Sequence, residues 1–447
     1  MKIGFIAMSG VRAHNEELTR LGLTLPGFVE RNKKIASLPS LGLLTLAGMT
    51  PGHIEVEYIE VEDIRDQHEL HGIFDAVAIS SFSAQIFEAY ELADRYRQQG
   101  TKVILGGLHV TACPEEALQH ADSIIIGEGE VSWPQLIDDL EIGQLQGIYD
   151  SRGLTFDLAD APMPRFELLD PDRYNRITVQ TARGCPFNCE FCAASIRLSP
   201  KYRVKPVEKV IAEIRKIKTI WSKPFIEFAD DNSFVNKLHS KRLLCELAKE
   251  KIRWFTESDL SIAFDNELLS LMRDSGCAQV LIGFESPTQN GLSGLEMKTN
   301  WKSKQFDDYK KAIENIQNHG ISVNGCFVLG LDNQGLESFQ AVRDFVLESG
   351  LHEVQVTVQT PFPGTPLYDR LLKQGRILRA GAWDLCTLFD VNIRPDKLTV
   401  KELEENFRWL ISELYSDEST QQRKTHFYQQ MRQARKHHKS PSIALAG

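Results

Sequence analysis

Three closely spaced cysteines are the residues of this sequence best suited to chemistry. Cys185, Cys189 and Cys192 follow a C-x3-C-x2-C spacing within the stretch TARGCPFNCEFCAA, residues 181–194. The glycine and proline beside the first cysteine favour a loop, and the β-branched residues from 177 onward predict a strand that ends just before it. Three thiolates this close together are poor disulfide partners but suit an iron–sulfur cluster.

The number of cysteines also bears on what the site does. A four-iron cluster normally takes four cysteine ligands, so three leave one iron open to a cofactor or a substrate, as open coordination positions do in catalytic metal sites. The alternative is a zinc knuckle or a chance grouping. Structural zinc sites prefer C-x2-C pairs and four protein ligands, and no second pair lies nearby in the sequence. The spacing therefore favours a cluster with an open position.

Composition narrows the class of protein. The 447 residues predict two or three domains, and the net charge of −10 argues against a bulk nucleic-acid binder. No apolar run approaches the roughly 20 residues that span a bilayer, and residues 1–8 read as a first strand, not a signal peptide. The five other cysteines are scattered, which is typical of a reducing compartment. We expect a cytoplasmic protein without a transmembrane segment.

Two α/β units are expected to position the cysteines. The first is residues 1–145, where strand and helix signals alternate. This alternation predicts a Rossmann-like, doubly wound parallel sheet. Ligands of such sheets bind beyond the carboxyl ends of the strands. The strands are expected at 3–7, 54–61, 76–80, 103–107 and 123–127, with helices at 41–49, 84–98, 114–120 and 133–140.

Small and hydroxyl-bearing residues follow three of these strands. They allow a bulky ligand to approach the backbone, although plain turn chemistry gives the same composition. We interpret the three loops as one binding crevice, in which the histidine is either a ligand or a hydrogen-bonded structural residue. The residues are Ser80, Ser81, Phe82 and Ser83; Gly106, Gly107 and His109; and Gly127, Glu128 and Gly129.

A second α/β unit is expected after a proline-rich linker at 146–176. Residues 177–375 predict a partial (β/α)6 TIM-like barrel, whose functional residues collect at the carboxyl ends of the strands. Residues 376–447 predict a helical segment with a basic tail, which is most simply a solvated helix. The barrel strands are expected at 177–180, 224–229, 252–257, 279–284, 322–329 and 353–358, with helices near 206–218, 238–250, 266–275, 305–318 and 336–349.

At its cysteines the chain resembles the radical S-adenosylmethionine (SAM) superfamily, whose hallmark is C-x3-C-x2-C with an aromatic residue before the last cysteine, here Phe191. The first unit is similar to the cobalamin-binding domain of one large branch, through PSLGLLTLAG (39–48), SSFS (80–83), GGLHVTACPEEAL (106–118) and GEGE (127–130). One departure is the missing D-x-H-x-x-G motif, which gives cobalt a histidine in other cobalamin enzymes.

The resemblance implies three cofactors: a four-iron, four-sulfur (4Fe-4S) cluster, SAM bound to its open iron, and cobalamin. An electron from the cluster, supplied by a flavodoxin or ferredoxin, would cleave SAM to a 5′-deoxyadenosyl radical. Glu285 is an expected SAM contact because a strand-end carboxylate without a basic neighbour is hard to explain by packing. Residues 230–232 have the alternative role of a helix N-cap. Beyond Phe191, the expected SAM contacts are Asp230, Asp231, Asn232, Glu257, Ser258, Glu285 and Gly330.

The leading functional hypothesis is methylation of an unactivated carbon, which needs a radical and a methyl donor that reacts with one. A radical cyclase, oxidase or rearrangement enzyme, with or without cobalamin, is the second hypothesis. A corrinoid carrier or sensor is the non-enzymatic one. Methylthiolation of transfer RNA is weakened because 1–145 lacks the cysteines of a second cluster. The substrate is a small molecule, a lipid or a peptide, and Gln359 is expected to face it.

Overall fold

The structure, a computed structural model, describes residues 1–15, 17–18, 38–193 and 201–439. Two six-stranded sheets, both wholly parallel, organise these residues. Within the described ranges, no helix is both long enough and apolar enough to cross a membrane.

The first sheet has the strand order β2-β1-β3-β4-β5-β6, and it confirms the predicted doubly wound architecture. Along β1, Ile3 and Phe5 pack into one apolar cluster, while Ile6 and Met8 pack into another on the opposite face. Both faces are therefore covered, as parallel sheets require. The strands are β1 (Lys2–Met8), β2 (Glu55–Val61), β3 (Ala76–Ser80), β4 (Lys102–Gly106), β5 (Ser123–Ile126) and β6 (Ile148–Asp150), and the α-helices are Leu41–Met49, Ile86–Gln98, Leu108–Ala112, Pro114–Ala117 and Gly129–Glu141.

Strand β6 lies inside the segment expected to be a linker. It pairs with β5, and of its three residues only Tyr149 is buried. Three residues are too few to show an alternating pattern, so the sequence offered no signal for this strand.

The second sheet has the order β14-β13-β12-β11-β10-β7, the sequential arrangement of the predicted partial barrel. Its strands are β7 (Ile177–Val179), β10 (Phe225–Phe228), β11 (Arg253–Ser258), β12 (Cys277–Glu285), β13 (Ser322–Leu329) and β14 (Glu353–Val358). The α-helices of this region are Val207–Ile220, Lys237–Glu250, Asn266–Asp274, Gln289–Leu292, Trp301–Lys304, Tyr309–Asn318 and Glu337–Glu348. A short antiparallel pair, β8 (Ala182–Arg183) with β9 (Arg203–Val204), brackets the cysteine loop.

The barrel strands turn apolar side chains outward and polar ones inward. On β14, Val354, Val356 and Val358 belong to the apolar cluster beneath the helices, so the alternating residues Gln355 and Thr357 face the lumen. A polar lumen of this kind is suited to a polar ligand.

The C-terminal segment contacts both sheets. Its α-helices are Val400–Leu414 and Asp417–Lys439, and Pro366–Lys373 directly precedes the segment. Thr399 and Glu402 form a capping box at the start of Val400–Leu414. Leu403 and Phe407 join the barrel core, whereas Trp383 and Cys386 join an apolar cluster of the first sheet. The segment thus holds the two sheets in one arrangement.

Candidate active site

The three cysteines line one cavity of about 250 Å³ at the carboxyl ends of the barrel strands, as do Phe191 and Asn232. The other expected SAM contacts in its wall are Asp231, Glu257, Ser258 and Glu285. The barrel topology therefore brings together most residues expected to contact the cluster or SAM.

The backbone before Cys185 is fixed by two aspartates that follow β10. Asp231 accepts a hydrogen bond from Gly184 N at 2.7 Å, and Gly184 adopts a left-handed conformation with φ of 87°. Asp230 accepts from the backbone nitrogens of Thr181 and Ala182 at 2.7 and 2.9 Å. Their carboxylates thus set the path by which the chain enters the cysteine loop.

Asp230 is buried and binds the loop backbone, and it is not among the residues that line the cysteine cavity; its expected contact with SAM stays a prediction. The alternative role of residues 230–232 as a helix N-cap is wrong, because Asn236 caps Lys237–Glu250 through its hydrogen bond from His239 N. Asn232 points back to the cysteines, with its Nδ2 3.8 Å from Cys185 Sγ and 2.8 Å from Asp259 Oδ2.

A second fixation acts between Cys189 and Cys192. The carboxylate of Glu190 accepts two hydrogen bonds from Arg370, at 2.7 and 3.0 Å. Arg370 also reaches Asp332 at 2.7 Å, and Arg376 contacts the same aspartate at 2.8 Å. A bidentate arginine–carboxylate contact is strong and directional, so the helix Pro366–Lys373 holds the cysteine loop from outside.

A third fixation comes from Glu296, which pairs with Cys189 in an isolated β-bridge. Its carboxylate accepts from Asn188 N at 3.2 Å, Lys298 N at 3.1 Å and Thr299 N at 2.6 Å. Although burial raises it, these hydrogen bonds lower the pKa of Glu296 to about 2. The residue stays ionised and ties the cysteine loop to residues 296–302.

Lys302 lies beside Glu285, which corrects the expectation that no basic residue is near this carboxylate. Lys302 Nζ is 2.7 Å from Glu285 Oε1 and 2.9 Å from Gly283 O. A register shift in β12 and a φ of 63° at Glu285 re-aim the side chain, as β-bulges do. A Cβ on Gly283 would lie 2.4 Å from the Glu285 carboxylate, so the glycine leaves room for the ion pair.

The lower wall of the cavity is acidic. The side chain of Glu257 is accessible to solvent at the cavity, and the surrounding protein together with nearby carboxylates, among them Glu227 and Asp231, raises its pKa. The neighbouring Ser258 Oγ is buried and has no hydrogen-bond partner. An unmet hydroxyl beside a carboxylate suits a ligand with hydroxyl groups, such as a ribose.

Gly330 has a different reason for being glycine than the expected approach of adenine. It adopts a φ of 84° and a Cβ there would lie 3.1 Å from Leu403. The position is therefore filled by the C-terminal helix Val400–Leu414, and Gly330 is not among the residues lining the cysteine cavity.

The thiols suit a cluster better than a single ion. In the described ranges no three His, Cys, Asp or Glu side chains converge closely enough to hold one metal ion. A four-iron cluster makes no such demand, because its cysteines bind different irons. Burial raises the pKa of Cys185 and takes that of Cys189 to about 12, so metal binding must supply the driving force for deprotonation.

A second cavity, of about 320 Å³, opens at the carboxyl edge of the first sheet. Its floor is apolar and includes Leu46, Ile104 and Trp133. A Cβ on Gly106 would meet only Ile125, at 3.8 Å, so a side chain there would narrow the cavity. An apolar slot beneath glycine-rich loops fits the flat, bulky groups of a corrinoid. Six expected cobalamin contacts line it, namely Ser80, Gly106, Gly107, Gly127, Glu128 and Gly129.

The other four expected cobalamin contacts lie outside this cavity. Ser81 bonds to the next carbonyl, and Phe82 is exposed. Ser83 Oγ lies 3.1 Å from Nδ1 of His109, whose Nε2 is 3.4 Å from Glu116 Oε1. His109 is buried under Trp383, and burial lowers its pKa. The structural alternative for this histidine is therefore favoured.

The two cavities adjoin at Asp231, which lines both. Around this point ion pairs join the loop after β5 to the short strands that flank the cysteine loop. Arg183 reaches Glu130 at 2.6 Å, and Arg203 pairs with Glu128, which is nearly inaccessible to solvent. Glu128 is thus engaged by the barrel and is held in place whether or not a cofactor is bound.

Sequence reasoning missed Lys302, Glu190, Arg370 and Glu296. The acidic residue inside the cysteine motif was visible in the sequence, but its partner lies 180 positions away. Such pairings depend on the assembled barrel and leave no local pattern.

A Rossmann-like sheet and a partial barrel, joined at a three-cysteine cavity, define the fold of a radical SAM protein with an added domain. Comparisons with known proteins agree. Residues 179–346 match the model of the radical SAM superfamily and residues 36–137 that of the B12 binding domain. Residues 365–446 match a domain of unknown function.

The chain therefore combines a radical SAM domain with an N-terminal B12-binding domain. It is a cobalamin-dependent radical SAM enzyme, whose cofactors are a 4Fe-4S cluster, SAM and cobalamin.

Relatives of known name are similar over most of the chain. Bacteriochlorophyllide d C-12(1)-methyltransferase of Chlorobaculum tepidum is 28% identical over 393 residues, 87% of this chain and 84% of that protein. The hopanoid C-2 methylase of Rhodopseudomonas palustris is 27% identical over 354 residues, 77% of this chain and 66% of that protein. The fold is similar to that of the radical SAM methyltransferase TsrM from Kitasatospora setae, with a TM-score of 0.64 at 16% identity, over 83% of this chain and 76% of that one.

Proposed function

We propose that this protein is a C-methyltransferase that modifies an unactivated carbon of a small-molecule or lipid substrate. The observation that carries the proposal is the contact between the two cavities at Asp231. A group bound in the first sheet would then lie next to a group bound at the cysteines, which supports the proposal. Relatives that methylate tetrapyrrole and hopanoid carbons support the same reaction type.

When bound, the cluster supplies the electron that cleaves SAM, and cobalamin supplies a methyl group to a substrate radical. The residues of the chain position these groups. Cys185, Cys189 and Cys192 hold the cluster, while Glu190 and Glu296 fix the loop that carries them.

The polar wall of the cysteine cavity orients SAM. We assign the carboxylate of Glu285 to its ammonium group, because a carboxylate binds an ammonium group strongly, and Lys302 holds that carboxylate in place at 2.7 Å. Glu257 and Ser258 are then suited to the ribose hydroxyls. These assignments leave the side of the cavity at β13 and β14 for the substrate.

Burial of the site protects a radical from water and from side reactions. The C-terminal segment contributes to this burial, because it packs on the barrel through Leu403 and on the first sheet through Trp383. An external flavodoxin or ferredoxin is the proposed source of electrons.

The proposal is tested by anaerobic incubation of the reconstituted enzyme with hydroxocobalamin, a reductant and SAM labelled in its methyl group. Candidate acceptors are extracts fractionated into lipids and small polar molecules. A product that gains the labelled methyl on carbon supports the proposal. A product with altered mass but no label would identify a radical cyclase, oxidase or rearrangement enzyme instead.

A further inference from the structure

Three amide side chains on one wall of the barrel have hydrogen-bonding atoms without partners. Both side-chain atoms of Asn324 and of Gln359 are buried and unpaired, and so is the Oε1 of Gln355. The residues are 1%, 2% and 7% exposed. We call Asn324, Gln355 and Gln359 the amide wall.

The amide wall faces the lumen next to residues that line the cysteine cavity, although its own three residues are not part of that lining. Asn324 is paired across the sheet with Leu281, and Gln355 with Cys326. Paired residues of a parallel sheet point to the same face, and both Leu281 and Cys326 line the cavity. Gln359 lies just beyond the end of β14 (Glu353–Val358), where its backbone nitrogen donates to Leu329 O at 2.8 Å and continues the pairing with β13.

The unpaired atoms are costly unless something binds them. A buried donor or acceptor without a partner destabilises the folded protein, and the wall has five such atoms. A side-chain amide offers a carbonyl acceptor and an NH₂ donor side by side. It is matched by a group that presents one donor and one acceptor in the same plane.

The charges around the cavity oppose an anionic ligand at this wall. Glu227 and Glu257 lie in the lumen, and Glu285 lies in the same cavity. The cations that contact these carboxylates are already engaged, since Arg176 pairs with Glu227 and Lys302 with Glu285. A carboxylate or phosphate at the amide wall would therefore meet amides and negative charge.

We propose that the amide wall binds a neutral donor–acceptor group of the substrate, such as a carboxamide or a lactam. The inference rests on the proposed function, because it assigns the substrate side of that active site. It narrows the substrate to molecules that carry such a group.

The test uses the reconstituted holoenzyme with SAM and without reductant, so that no turnover occurs. Binding of 2-pyrrolidinone, acetamide and acetate is measured by saturation-transfer NMR. We expect the lactam and the amide to bind about tenfold more tightly than acetate, the effect of one or two matched hydrogen bonds.

Asn324→Leu and Gln355→Met remove the polar atoms at nearly constant volume, and Gln340→Met on an exposed helix is the matched control. The first two variants should lose the preference for the amide while keeping the melting temperature and the affinity for SAM. Acetate binding as tight as acetamide binding would overturn the proposal. An unchanged preference for the amide in both variants would also overturn it. SAM binding weakened several-fold in Asn324→Leu would overturn it as well, because the amide wall would then bind SAM and not the substrate.

Failure of the proposed function has a separate signature. If the same preparations prefer the amide but neither cleave SAM nor transfer methyl after reduction, the amide wall stands and the proposed reaction falls. If they transfer methyl but show no preference for the amide, the reverse holds.

Discussion

The contact between Arg370 and Glu190 should govern how firmly the protein retains its cluster. Glu190 lies between two cluster cysteines, and Arg370 donates to it at 2.7 and 3.0 Å. Hydrogen bonds to charged groups contribute about 1.5–3 kcal/mol each. The side chain of Arg370 is 30% exposed, so solvent screening reduces this, and we take about 2 kcal/mol for both together.

Arg370→Gln removes this stabilisation of about 2 kcal/mol from the cysteine loop. Since 1.4 kcal/mol is a factor of ten, release of iron to a chelator should then accelerate about 30-fold. Arg376→Gln is the control, because Arg376 binds the same Asp332 at 2.8 Å but is not bonded to Glu190. The assay is the rate of iron transfer to bathophenanthroline disulfonate under anaerobic conditions. Equal rates in the two variants, or a rate for Arg370→Gln equal to that of the unaltered protein, would refute the reasoning.

Three further predictions follow from the same structure. The pKa of Glu296 is lowered to about 2 from an ordinary value near 4.5, so its ionised form stabilises the fold above about pH 4.5 and this contribution is lost as the pH falls toward 2. In an acid titration of the apo protein followed by circular dichroism, Glu296→Gln should lose folded structure less steeply than the unaltered protein. Identical curves would contradict the assignment. Gly106→Val should abolish corrinoid absorbance and keep the cluster absorbance, whereas Gly52→Val, at an open turn, should keep both. Full corrinoid occupancy in Gly106→Val would exclude the cavity of the first sheet as the corrinoid site. Arg203→Gln breaks a buried ion pair with Glu128 and should cost about 3 kcal/mol in urea denaturation, whereas Arg152→Gln at the exposed Asp150 pair should change the stability little. Similar losses in both variants would show that the contact between the domains adds no stability.

Most elements of this fold could be predicted from the sequence because each of them has a local signal, which the three-residue strand β6 lacks. Leu41–Met49 follows Ser40, whose side chain caps it, and the β14 residues alternate between valines and polar residues in the pattern of a half-polar strand. The three cysteines were legible for the same reason, since their spacing lies within one loop.

The details of the site were not legible, because they depend on contacts between distant elements. Lys302 reaches Glu285 only because a bulge turns the carboxylate toward it. Asp230 looked like a cofactor contact or a helix cap, yet it binds a backbone segment 48 residues away. Polar residues at strand ends therefore mark a site without showing which of them hold the protein and which hold the ligand.

The amount of 5′-deoxyadenosine formed per chain shows whether the cysteine site cleaves SAM. The reconstituted protein is incubated anaerobically with SAM and a reductant, beside a Cys192→Ala variant with matched total protein. We expect the unaltered protein to form 5′-deoxyadenosine over several turnovers and the Cys192→Ala variant to form none. Absence of the product from a preparation with full cluster absorbance, or equal formation by the variant, would contradict it.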